Sequence, residues 1–364
     1  MELSLMRLDF AQVGTTNRQC MRVIPSEKVD KSKKKRALER VVVGSQNGSV
    51  VCMCRKNNDT QVGLALSVFV FKIIYKLPPG PPIEAVCLGG AIGTLQDKQQ
   101  QFSKFSLHLV ATFADSVRKE NNFFSFDTTM AETIRRMFIS GVDLLLTGEK
   151  SINHYHDCAD TDVRWFPFTD FLNSYLLCPD DVLDIVCLTS TGDAWSGRPF
   201  TTVVACVDAM IRCSTIELPI QTTLFQVTEG SNIAYEVQMK SVPNTLYLFM
   251  GDGGYSKQLV LYGTRSGKLG LIDVKTKEAE IKWEIATTTL SAITAITCYP
   301  FTGLDHPDIL VGKDDGVLEI YTVDTEDNCT LYGTYHCDES ITSLGCGRIC
   351  SEQEDEIVVC TYTG

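Results

Sequence analysis

Three stretches share one pattern and decide the fold: VVVGSQNGSVVCM (Val41 to Met53), VLYGTRSGKLGLI (Val260 to Ile272) and ILVGKDDGVLEIY (Ile309 to Tyr321). Each has three apolar residues, a small residue, a three-residue polar gap, a glycine and then alternating apolar positions. A fourth copy, IVVCTYTG, runs from Ile357 to the last residue, Gly364. The triplet predicts a strand buried on both faces. The pairs Asn47-Gly48, Ser266-Gly267 and Asp315-Gly316 supply the positive φ of a tight turn, so each copy reads as a β-hairpin. Small residues at Gly44, Gly263, Gly312 and Cys360 leave room for close packing where the strand ends.

Positions 263, 312 and 360 are separated by 49 and 48 residues, close to the ~40–50 of a four-stranded propeller blade. Weaker copies fill the middle: LHLVATFADSV (Leu107 to Val117), LLLTGEKSINHY (Leu144 to Tyr155) and VVACVDAMIRC (Val203 to Cys213). Together these hairpins predict an all-β, seven-bladed β-propeller occupying residues 1–364 as a single domain, since a ring removes most sheet edges. Inner strands are expected at Val41 to Val43, Leu107 to Val110, Leu144 to Leu146, Val203 to Ala205, Leu259 to Tyr262, Ile309 to Val311 and Ile357 to Val359. Met130, Ile134, Met137 and Phe138 have helical spacing behind a Thr129/Glu132 capping pattern, but the flanking hairpins demand strands there. The last blade has a first strand at Ile341 to Cys346 and a second at Glu356 to Tyr362. The sequence given stops before a third, which leaves this blade incomplete. Leu3 to Phe10 has strand-like composition and is expected to pair into this blade; even so, one strand is missing and the edge invites association.

Lys plus Arg number 33 and Asp plus Glu 45 among 364 residues, a net charge of −12, which excludes binding of polyanions by bulk charge. Apolar residues make up 44% and charged residues 21%, the balance of a globular chain rather than a disordered one. The 15 cysteines are odd in number, and the start MELSLMRLDF carries charge where a signal peptide would be apolar. The expectation is a reducing compartment with free thiols. The apolar stretch Val62 to Phe71 stops at Lys72, about half the ~20 residues of a spanning helix, so no membrane span is expected.

Lys28, Lys31, Lys33, Lys34, Lys35, Arg36 and Arg40 form a basic run in this acidic chain. Its centre, Lys33, Lys34, Lys35 and Arg36, is the candidate contact with anionic lipid or an acidic partner. No aromatic lies within it, so base stacking, and with it nucleic acid, is not expected. Gly263 to Leu269 imitates a phosphate loop but has three residues between its glycines and leads into a strand. His154, His156 and Cys158 share a strand face without a fourth zinc ligand at a suitable spacing. Cys52 and Cys54 read as packed thiols, and Asp305 and Asp308 are too few carboxylates for calcium. No catalytic constellation, metal site or cofactor site is expected, and the sequence offers no enzyme.

LDFAQVG (from Leu8), SFDTTMAETIRRMFISGVDLLL (from Ser125), INHYHDC (from Ile152), VVACVDAMIRC, GTRSGKLGLI, KWEI (from Lys282), DILVGKDDGVLEIY, ESITSL (from Glu339) and DEIVVCTYTG resemble, in order, the N-terminal propeller of the Bardet-Biedl syndrome 7 family of BBSome subunits. The resemblance implies a non-catalytic adaptor in a coat that carries membrane proteins in and out of cilia. Its partners would be the other BBSome subunits, an Arf-like GTPase acting through the assembled complex, and the membrane surface peripherally. Its place would be the cytoplasm, the ciliary base and basal body, and the cilium with its membrane. In that family a coiled coil, an appendage-like region and a helical C-terminus follow the propeller and have no counterpart in these 364 residues. Gly63 to Tyr75 and Val163 to Cys178 read as insertions. The rival reading is a free-standing propeller enzyme or a calcium-binding lectin-type module, which a central cluster of carboxylates or histidines would favour.

Overall fold

Gly48, Gly267 and Gly316 take φ of +79°, +73° and +82°, which only glycine adopts without strain. Their N–H groups close the turns onto the carbonyls of Ser45, Thr264 and Lys313 at 3.0, 3.3 and 3.1 Å. In the weaker copy at Val203 the same place is held by Ala209, also left-handed at +61°. The computed structural model of the chain describes residues 5, 7, 9, 11–24, 38–55, 71–76, 83–89, 108–113, 116–121, 124–129, 136–140, 143–156, 172–189, 200–216, 233–249, 259–274, 278–304, 306–351 and 353–364.

Among the described residues the strands form six four-stranded antiparallel sheets and one of two strands, in which spatial order follows chain order. Sheet 1 is Met21–Ile24, Arg40–Gly44, Val50–Arg55 and Phe71–Lys76, and sheet 2 is Ile83–Gly89, His108–Phe113, Ser116–Asn121 and Phe124–Thr129. Sheet 3 is Arg136–Ser140, Asp143–Thr147, Ser151–His156 and Leu172–Leu177, and sheet 4 is Val182–Thr189, Phe200–Cys206, Met210–Ile216 and Ile233–Gln238. Sheet 5 is Pro243–Phe249, Leu259–Thr264, Lys268–Val274 and Ala279–Ala286, and sheet 6 is Ile293–Tyr299, Asp308–Lys313, Val317–Val323 and Cys329–His336. Sheet 7 is Ile341–Gly347 and Glu356–Thr361. The first strand of each sheet packs beside the first strand of the next, and that of sheet 7 beside that of sheet 1. The fold is an all-β propeller.

Every expected apolar triplet falls in the second strand of a sheet, except that Leu107 lies outside the described residues. Outside the two-stranded sheet 7 these strands are paired on both sides, and Val41, Leu145, Val203, Leu261 and Leu310 are almost completely buried between neighbouring sheets. The small residue at the strand's end has one recurrent use. A Cβ on Gly44 would meet Ile83 at 2.6 Å, one on Gly312 would meet Ile341 at 2.5 Å, and one on Gly263 would collide with Ile293. Each of these isoleucines opens the first strand of the following sheet, so the glycine sets how closely one sheet docks on the next.

The structure corrects three expectations. Phe71–Lys76 pairs with Val50–Arg55, and Leu172–Leu177 pairs with Ser151–His156. These parts of the two supposed insertions are therefore the fourth strands of sheets 1 and 3; 63–70 and 163–171 lie outside the described residues. Closure of the ring by Leu3 to Phe10 is not seen either, because Leu5, Arg7 and Asp9 lie in no strand and the rest of that span is outside the described residues. The closing contacts come from slightly later. Thr16 N–H donates to the Tyr362 carbonyl at 2.9 Å, Gln19 N–H to Thr342 at 3.2 Å, and Gln46 N–H to Thr15 at 2.7 Å. The Thr16 hydroxyl meets those of Thr342 and the carbonyl of Thr361, both at 2.8 Å. Met137 and Phe138 lie in a strand, while 130–135 are outside the described residues.

Candidate interaction surfaces

The basic run joins the first and second strands of sheet 1. Lys28, Lys31, Lys33, Lys34, Lys35 and Arg36 lie outside the described residues, and Arg40 opens the second strand. The imitation phosphate loop is a hairpin turn: the Thr264 hydroxyl accepts Lys268 N–H at 2.9 Å, and Lys268 Nζ meets Glu284 at 2.8 Å. Both Asp308 oxygens are occupied by the N–H and hydroxyl of Thr302, each at 2.7 Å, while Asp305 is outside the described residues. His154 and His156 close the third strand of sheet 3, and Cys158 falls outside. Among the described residues no group of side chains is placed to hold a metal ion, and Cys52 packs in the core between sheets 1 and 2. Burial pushes Cys20 and Cys329 up to about 12, so both are packed thiols rather than reactive thiolates.

Two further surfaces stand out, and the sequence pointed only to the first of them. The first is the outer edge of sheet 7. The second strands of sheets 5 and 6 are buried throughout, whereas Glu356–Thr361 is half-buried at all positions but Cys360. A groove of about 610 Å³ runs beside it, between Leu318 and Tyr335 of sheet 6 and Met21, Val41 and Val43 of sheet 1.

The second lies where the first strands begin. Arg18, Glu84, Arg136, Asp181 and Arg265 converge there on a cavity of about 400 Å³. Glu84 is the second residue of sheet 2, Arg136 the first of sheet 3, and Asp181 precedes sheet 4. Arg265 sits on the sheet 5 turn, and its N–H is tied to the Val242 carbonyl at 2.9 Å. Arg18 Nη1 donates to the Asn244 carbonyl at 3.1 Å. Asn17 donates to the Ile83 carbonyl at 2.9 Å and to Glu84 at 3.4 Å. Buried Asp184, whose charge acts on Arg18, accepts Gln19 Nε2 at 2.9 Å, Leu246 N–H at 2.8 Å and the Thr245 hydroxyl at 3.2 Å. A signal for these positions does exist in the sequence: the openings Ile293-Thr294-Ala295-Ile296 and Ile341-Thr342-Ser343-Leu344 repeat, and Glu84 and Leu183 occupy the second place of that quartet.

Residues 21–364 match the family model described as the BBS7 beta-propeller. The chain belongs to the BBS7 β-propeller family. Among curated BBS7 relatives it is 43% identical to the BBSome complex member bbs-7 of Caenorhabditis elegans, over 98% of this chain and 43% of that protein. It is 32% identical to BBSome complex member BBS7 of Mus musculus, over 100% of this chain and 44% of that one. The chain thus spans less than half the length of these BBS7 proteins. Among solved structures, BBS1N crystallised in complex with ARL6DN and soaked with lead superposes with a TM-score of 0.62 at 11% identity, over 97% of this chain and 92% of that one. The WD40 propeller domain of Doa1 gives 0.58 at 12%, over 97% and 91%. At that identity both likenesses speak for the propeller fold alone.

Proposed function

We propose that this chain is a non-catalytic docking scaffold within a BBSome-like coat that carries membrane proteins in and out of cilia. The observation that carries the reading is the 43% identity over 98% of the chain to a BBSome complex member. The seven sheets are read as the seven blades of one propeller domain over residues 1–364, the seventh holding two strands. Its partners are the other BBSome subunits, and an Arf-like GTPase meets it through the assembled complex. The structural neighbour BBS1N, which is recorded with ARL6DN, supports that last element by analogy of fold. The cytoplasm, ciliary base and ciliary membrane are its places of work, and nucleic acid is not among its partners. The rival enzyme or calcium-lectin reading draws no support from Asp308, whose carboxylate caps the Thr302 turn.

Tagging the protein at its own locus in ciliated cells and identifying what co-purifies tests this. BBSome subunits in near-equal amounts are expected; their absence from a soluble, monodisperse preparation overturns the reading. Membrane contact by Lys33, Lys34, Lys35 and Arg36 has a separate test. Each basic residue near an anionic leaflet contributes only ~1 kcal/mol, so the effect is collective. Changing all four to Ser is expected to weaken sedimentation with anionic liposomes at least ten-fold, and unchanged binding removes the idea.

A further inference from the structure

Where the chain passes from sheet 3 into sheet 4, three segments are stitched together by backbone bonds. Cys178 N–H donates to the Lys150 carbonyl and Val182 N–H to that of Glu149, both at 2.7 Å, and Val207 N–H donates to the Asp181 carbonyl at 3.0 Å. Val182 is in turn paired with Cys206, the last residue of the second strand of sheet 4. This framework fixes Cys178 and Cys206 beside each other, and both side chains pack with Leu145, Ile152, Val182 and Ile185 between the two sheets. The two thiols are unbridged and share a hydrogen bond. A cation attends them. Arg212, whose side chain is 5% exposed, donates from Nε to Glu236 at 2.6 Å and from Nη1 to Asp208 at 3.0 Å, and it also bonds to the Cys206 sulfur.

The pair is therefore unequal. The bond from Cys178, together with that from Arg212, pulls the Cys206 thiol down against its burial. The same bond to Cys206, and after it burial, push Cys178 up. Cys206 is the partner that gives up its proton first, and a thiolate is the reactive form of cysteine. Cys20 and Cys329, both pushed up by burial, are the inert comparison.

We propose that Cys178 and Cys206 form a peroxide-sensitive dithiol site that closes to a reversible disulfide. The Cys206 sulfur attacks one oxygen of hydrogen peroxide and the O–O bond breaks. The other oxygen departs as hydroxide and takes a proton from solvent to become water, leaving a sulfenic acid on Cys206. The Cys178 sulfur then attacks the Cys206 sulfur, and its proton passes to the departing hydroxyl, so an S–S bond forms and a second water leaves. Two thiols are oxidised and one peroxide is reduced to two waters. A dithiol reductant reverses the change by exchange. Access suits a small oxidant, since Cys206 is fully buried and Cys178 is 9% exposed beside exposed Pro179. Asp181, Val182 and Val207 line the charged cavity, so the bridge forms directly behind its wall.

The test treats the folded protein with hydrogen peroxide, blocks the remaining thiols with an alkylating agent at successive times, and maps the unreduced peptides by mass spectrometry. The expected product is a Cys178–Cys206 linked peptide, lighter by two hydrogens than its parts and lost on treatment with dithiothreitol. It is expected to form roughly ten-fold faster or more than Cys20 or Cys329 is consumed. Cys178→Ser supplies a second readout: with no thiol to resolve it, Cys206 stops at the sulfenic acid and is captured by dimedone, which captures little from wild type. Recovery of both cysteines as alkylated thiols, consumption no faster than that of Cys20 and Cys329, oxidation to sulfinic acids, or bridges to other cysteines overturns the proposal. So does equal dimedone capture by Cys178→Ser and wild type.

Discussion

Replacing Glu319 by Ala costs about 3–5 kcal/mol of stability, the penalty expected when one partner of a buried ion pair is removed. Glu319 and Lys313 are both fully inaccessible, with Lys313 Nζ 3.4 Å from the carboxylate. Lys313 Nζ also donates to the Thr287 hydroxyl and the Thr289 carbonyl, both at 2.8 Å. The same carboxylate accepts Thr288 N–H at 3.0 Å, the Thr288 hydroxyl, and the Tyr321 hydroxyl at 2.7 Å. Threonines 287–289 link sheet 5 to sheet 6, so the pair clamps two neighbouring sheets together. Truncation strands a buried ammonium and leaves several donors without an acceptor. Burial and the bond to Glu319 push Tyr321 up, so its hydroxyl remains a donor that needs that oxygen. The check is the urea midpoint of the single variant against Lys313→Met/Glu319→Leu. Removal of both charges is expected to cost less than removal of one, and an unchanged midpoint for Glu319→Ala contradicts the account.

A form of the chain extended by about ten residues past Gly364 unfolds at a higher temperature than this one and stays monomeric at concentrations where this one associates. Glu356–Thr361 keeps one edge unpaired among the described residues, while its equivalents in sheets 5 and 6 are paired on both sides. Ile357 and Val359 lean toward the core shared with sheet 6, and Val358 and Cys360 toward that shared with sheet 1. A third strand in the adjoining groove would cover both faces. Three core-facing apolar side chains bury roughly 1.5–3 kcal/mol each, and the cost of ordering the backbone offsets most of it. The net gain is on the order of 1–3 kcal/mol. Equal midpoints with both forms monomeric would show that the edge needs no cover.

The second strands were legible because burial on both faces forces an apolar triplet, and the tight turn after each forces Gly48, Gly267 or Gly316. The fourth strands were not. Ala279–Ala286 and Cys329–His336 contain only half-buried and exposed positions, so no buried apolar triplet marks them in the sequence. That is why Phe71–Lys76 and Leu172–Leu177 passed for insertions. The charged cavity was hidden for another reason. Arg18, Glu84, Arg136, Asp181 and Arg265 are dispersed along the sequence and meet only through ring closure.

Closure of the ring by Thr15 to Gln19 is therefore the claim on which both the docking scaffold and the cavity depend, and Cys360 offers a direct test. Its Sγ lies 3.6 Å from the Thr16 hydroxyl, so Thr16→Cys places two thiols within bridging reach. A protease site inserted between residues 56 and 70 then divides the chain into two fragments that only such a bridge can hold. After mild oxidation and cleavage, Thr16→Cys is predicted to run as one species on a non-reducing gel, and Thr16→Cys/Cys360→Ser as two. Two fragments from oxidised Thr16→Cys, with Cys360 intact, would contradict a ring closed at this point.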